Sequence, residues 1–109
     1  MNIEKWTAKM QEAIQKAITM ASEMGHQVVD VEHFLLALLE DNAGILYRVL
    51  SKANVNIADL QNKLNVRLQG KPIVSNVDIN SIRISYDLNQ LLSLADKQMH
   101  NFKDEYLSV

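Results

Sequence analysis

The sequence predicts an all-α domain, and three observations carry that prediction. Apolar residues recur at three- and four-residue spacing along most of the chain. Gly, Asp, Asn or Ser stand where those stretches stop and restart. No segment offers an obvious strand partner. With 109 residues, 48% of them apolar, and only three glycines and one proline, the chain fits one compact domain.

The first helix follows from Trp6 onward, where Met10, Ile14, Ala17, Ile18, Ala21 and Met24 line one side of a 3.6-residue repeat. Gly25 then fits the left-handed position after a helix end. After the bridge HQVV, Asp30 is placed to cap a second helix whose apolar face is Val31, Phe34, Leu35, Leu38 and Leu39. Leu36 and Ala37 fill the remaining side, so this helix is expected to be the most buried. Ile45, Leu46, Val49, Leu50 and Ala53 predict a short third helix. Asn56 caps a fourth, on which Leu60, Leu64 and Leu68 recur at every fourth position. The segment 70–84, GKPIVSNVDINSIRI, carries the only proline and reads as a loop with some extended character. Ser85 caps a fifth helix bearing Leu88, Leu91, Leu92, Ala95 and Met99.

The chain also resembles itself. With Ala21 set beside Ala95, Ile14 falls opposite Leu88 and Ile18 opposite Leu92. After four extra residues GHQVVDV meets FKDEYLSV, which puts Asp30 opposite Ser108 and Val31 opposite Val109. The division expected is a first unit over 1–69, a linker over 70–84 and the start of a second unit over 85–109.

Several function classes find no support. A net charge of −2 with acids and lysines interspersed offers no footprint for a phosphate backbone, so nucleic acid is not an expected partner. The longest apolar run, Phe34 to Leu39, is far short of the about 20 residues that span a bilayer, so no membrane association is expected. The absence of cysteine excludes thiolate metal sites and suits a reducing cytoplasm. No GxxxxGK[ST], GxGxxG or HExxH motif occurs, so no nucleotide, cofactor or catalytic site is expected in this chain. His26 and His33, with Asp30 or Glu32, could be imagined around a metal. Their spacing does not set both imidazoles one turn apart on a helix, and the expectation is no metal, with both rings satisfied by backbone groups. Glu32 suits the positive end of the second helix better than acid catalysis.

One residue stands out by helical angle. Leu94 falls outside the arc formed by Leu88, Leu91, Leu92, Ala95 and Met99, so it is expected to face solvent or a partner. Thr7 sits at the rim of the first helix's stripe.

The opening NIEKWTAKMQEAIQKAITMASEMGHQVVDVEHFLLALLE, followed by AGILYRVLSKANV, ISYDLNQLLSLADKQ and DEYLSV, resembles the N-terminal (Clp repeat) domain of the Clp ATPases, most closely the ClpB disaggregase group. The motif GH-x4-[DE]-x-EH-[FL]LLALL is specific, and the order of segments matches along the whole chain. This resemblance implies a bundle of two pseudo-symmetric helical repeats, the second truncated here. It implies a substrate-binding module on a hexameric, ATP- and Mg-dependent parent that threads aggregated polypeptides through its pore. A shallow apolar groove between the repeats would take up hydrophobic stretches of unfolded clients. The family positions associated with that groove fall on Thr7, Leu94 and Gln98, the last a departure where an apolar residue can occur. The alternative implied by the related ClpC and ClpA groups is docking of adaptor proteins on behalf of a protease.

Overall fold

The computed structural model describes the backbone of residues 3–94 and the side chains of residues 8–94. Four helices follow in order: α1 (Ile3–Glu23), α2 (Val31–Leu39), α3 (Ile45–Lys52) and α4 (Ile57–Gln69). A fifth, α5, occupies residues 86–94.

Each junction is made by the chemistry of its end residues. Gly25, at φ +78°, closes α1: the His26 N–H donates to the Ala21 carbonyl (2.8 Å) and the Gly25 N–H to that of Ser22 (3.1 Å). The same paired bonds end α3, where the Val55 N–H reaches Leu50 and the Asn54 N–H reaches Ser51, with Asn54 at φ +61° in glycine's role. Asp30 caps α2, and the Asn56 side chain accepts from the Asp59 N–H at 3.0 Å to cap α4. Ser85 Oγ accepts from the Leu88 N–H at 3.1 Å at the start of α5.

The expected segment 70–84 is more ordered in its contacts than a plain loop. A 3-10 turn at Ile79–Ser81 leads into Arg83–Ile84 (β2), which pairs in parallel with Val28–Val29 (β1). Among the described residues, these two residues of parallel bridge are the departure from an all-helical reading. Runs this short carry no alternating signature in sequence, because pairing depends on a partner 55 positions away.

The core forms on both sides of α2. On one side Phe34 and Ala37 meet Ala13, Ala17 and Ala21 of α1, Val29 and Leu88. On the other Leu36 and Leu39 meet Ile57, Leu64 and Leu68. Small alanines let α1 approach closely, so they, rather than Ile14 and Ile18 beside them, are the fully buried centre of its stripe. Likewise Leu36 and Ala37 are more buried than Leu35 and Leu38, because α4 covers Leu36 and α1 covers Ala37 on the side that periodicity alone left as secondary. The helix predicted to be most enclosed is so.

Candidate functional site

On α5 the leucines separate by angle. Leu88 is 1% exposed and Leu92 packs on the α1 side of the core, whereas Leu91 is 37% and Leu94 58% exposed. Leu91 departs from its expected core position: at 100° per residue it lies 60° from Leu94, on the exposed edge of the stripe. Leu91 and Leu94 therefore form one apolar edge. Thr7 lies on α1, with its side chain outside the described residues, and Gln98 lies outside them altogether. The convergence of the three expected residues is thus described only at Leu94.

A concave surface elsewhere was not foreseen. Between α1, the end of α2 and the start of α3 runs a groove of about 660 Å³, floored by Met10, Ala13, Phe34, Ala37 and Leu38 and flanked by Ile45. Its rim carries Lys9, Lys16 and Arg48 beside Glu12 and Asp41. Lys9 stands 3.8 Å from both carboxylates, in exposed pairs of small energetic weight. The groove exists because α3 turns only Leu46, Tyr47 and Leu50 toward the core, leaving Ile45 and Val49 exposed. The apolar count of α3 was readable, but which face is covered depends on the angle at which it meets α2.

The motif around Gly25–His33 builds a polar knot. His26 and His33 are 4% and 0% exposed, and His26 Nδ1 lies 2.9 Å from His33 Nε2. His33 Nδ1 accepts from the Asp30 N–H at 2.9 Å, completing a reciprocal capping box with imidazole where Glu or Gln commonly stands. The expectation of backbone satisfaction therefore holds for one nitrogen of His33, while the two rings satisfy each other. Among the described residues no third donor joins them to form a metal-binding group. Burial, the neighbouring His26 and the Lys71 ammonium lower His33 to about 4, against the opposing pull of Asp30 and Glu32. Burial, followed by Lys71, also lowers His26.

Asp30 ties this knot to the linker. Its carboxylate accepts from the Val31 N–H, the Lys71 ammonium and the Ser85 hydroxyl, each at 2.8 Å. Burial raises the Asp30 pKa, but these hydrogen bonds outweigh it and hold the group below its ordinary value. Lys71 also stands 3.6 Å from Glu32, and with the Asp30 bond foremost its own pKa is raised despite burial. The capping hydroxyl of α5 thus donates a hydrogen bond to the capping carboxylate of α2.

The family named Clp repeat (R) N-terminal domain matches residues 5–109. The chain belongs to the Clp N-terminal domain family. Chaperone protein ClpB of Bacillus cereus is 37% identical over 111 aligned positions, covering 100% of this chain and 13% of that protein. ClpB of Vibrio cholerae is 32% identical over 99% of this chain and 12% of that protein. This Clp N-terminal domain therefore spans about an eighth of the curated relatives it matches. Among solved structures, the N-terminal domain (1–163) of the ClpV1 ATPase from the E. coli EAEC Sci1 T6SS aligns with a TM-score of 0.64. It shares 24% identity and covers 84% of this chain and 59% of that one, a likeness of fold. No helix among the described residues is long and apolar enough to cross a membrane.

Proposed function

We propose that this Clp N-terminal domain captures exposed hydrophobic stretches of unfolded or aggregated polypeptides for a ClpB-type, ATP-dependent disaggregase. The observation that carries the reading is the exposed edge Leu91–Leu94 on a helix whose Leu88 is buried. ClpB relatives aligned along the whole chain support placing that edge on a chaperone. The domain itself catalyses nothing: ATP and Mg belong to other parts of a hexameric, cytoplasmic parent, and this part supplies recognition. Apolar area of the client leaves water at roughly 25 cal/mol per Å², which makes binding weak and tolerant of sequence. Repetition of the domain on six subunits raises avidity without any new contact. Thr7 and Gln98 complete the proposed contact surface with Leu94.

Leu94→Asp tests this. Leu94 is 58% exposed, so helicity by circular dichroism stays unchanged. Binding to unfolded casein, followed by calorimetry, weakens roughly tenfold, about the worth of one leucine side chain removed from water. Unchanged affinity removes Leu94 from the site. Retention of a folded adaptor with no retention of unfolded protein, in parallel pull-downs, replaces client capture with adaptor docking.

A further inference from the structure

The hydrogen bonds around the two histidines determine where their protons are. His33 Nδ1 accepts the Asp30 N–H, so the proton of the neutral His33 ring is on Nε2. That Nε2–H donates to His26 Nδ1, which puts the proton of the neutral His26 ring on its own Nε2. Both rings are therefore neutral Nε2–H tautomers. Every singly protonated arrangement loses one bond. A proton added to His33 goes to Nδ1 and faces the Asp30 N–H. A proton added to His26 goes to Nδ1, where it opposes the His33 Nε2–H or forces that ring into the Nδ1–H tautomer that again faces Asp30.

The backbone that these rings hold is the backbone that holds the linker. The carbonyls of Gly25, Gln27 and Val29 accept from the N–H groups of Val74 (2.9 Å), Arg83 (3.2 Å) and Ser85 (2.9 Å). The Gln27 side chain donates to the Asp78 carbonyl and accepts from its N–H. Asp30 adds its bonds to Lys71 and Ser85. We propose that the His26–His33 pair is a proton-released clasp: one proton taken up by either ring detaches segment 71–85 from residues 25–30 while α1, α2 and α4 stay folded. The start of α5, and with it the orientation of the Leu91–Leu94 edge, is loosened in the same step.

The charged groups facing the pair are Asp30 and Glu32 from the start of α2 and Lys71 from the linker. The two carboxylates favour an imidazolium on His33; burial, the neighbouring His26 and Lys71 oppose it and prevail. Asp30 titrates below its ordinary range and stays ionised through the window in which the clasp opens.

Two measurements on the whole chain decide the matter. At pH 7.5, ring-nitrogen NMR finds His33 Nδ1 unprotonated; an Nδ1–H on His33 overturns the proposal. Hydrogen exchange then follows the amides of Val74, Arg83 and Ser85 beside those of Leu64 and Leu68 in α4. Between pH 7 and pH 5 the protection factors of the first three fall roughly twentyfold, the linkage expected for a group titrating near 4 when clasped and near 6.5 when released, and at every pH they stay well below those of the α4 amides, which report global unfolding. Linker amides as strongly protected as those of α4, which would mean that they open only with the whole domain, or linker protection that does not change with pH, sinks the clasp. His33→Gln retains an amide oxygen for the Asp30 N–H and carries no titratable ring. Its profile is flattened over the same range, and an undiminished drop in this variant also overturns the proposal. Should the variant not fold, the ring-nitrogen and exchange measurements on the unaltered chain still decide.

Discussion

Gly25 shows how a single residue can be required for two reasons at once. Its φ of +78° lies in the left-handed region that side chains with a Cβ adopt only at a cost. The space is also taken: an added Cβ would lie 2.8 Å from Ile73 Cγ2 and 3.3 Å from the Val74 carbonyl oxygen. Gly25→Ala is expected to destabilise the domain by about 1–3 kcal/mol in urea denaturation. Ile73→Ala in the same chain recovers the part due to the clash, because only the side-chain obstacle is then removed. A helix-ending role for Gly25 was legible from its place after the apolar stripe. The second requirement was not, since it comes from a linker nearly fifty residues downstream. The exposure of Leu94 follows from helical angle and was legible, whereas that of Leu91 depends on how α5 seats against the core and was not. His33 is the clearest omission at this scale. A histidine three positions after a capping Asp could have been read as a capping-box partner, but its contact with His26 required the turn that folds residues 26–30 back over the ring.

At the scale of elements, α2 owes its position to the residue that caps it. Asp30 caps α2, pairs with Lys71 and accepts the hydroxyl that caps α5. Asp30→Ala is expected to cost about 2–4 kcal/mol by chemical denaturation, the sum of a lost cap and two partly buried donors left without their acceptor. Asp30→Asn keeps an oxygen for the cap and for Ser85 but not the charge opposite Lys71, so about half that loss is expected. Equal losses for the two variants would mean that the ion pair, rather than the cap, carries the effect. By contrast, the Lys63–Asp59 pair on the exposed side of α4 stands at 3.1 Å with both side chains largely in water, and its removal is expected to change little. The element boundaries were nearly all legible, because capping residues act within one turn of where they stand. The parallel bridge and the groove beside α3 were not, because each depends on how separate elements approach.

For the molecule as a whole, α2 is the shared wall of two apolar clusters, with α1, β1 and Leu88 on one side and α4 on the other. Met20 packs against both. The buried imidazole of His33 sits in this wall, and it makes global stability depend on pH. Its pKa is near 6.5 when unfolded and lowered to about 4 when folded, so the unfolded chain binds more protons through that interval. Stability from this group is complete above about 6.5 and declines as pH falls toward 4, by roughly 3 kcal/mol in total. Asp30, lowered in the fold, extends the decline below its ordinary range. Urea midpoints measured from pH 7 to pH 4 are expected to fall steadily, and a flat profile would show that His33 is not held neutral. The sequence by itself determined the helices, their caps, the burial of α2 and the outward angle of Leu94, since these follow from residue spacing and from bonds made within a few positions. Only the tertiary structure decided the His26–His33 contact, the bridge between residues 28–29 and 83–84, the attachment of the linker through Asp30 and the groove beside α3. Those features join residues far apart in the chain, and local periodicity carries no information about which distant segment will close against which.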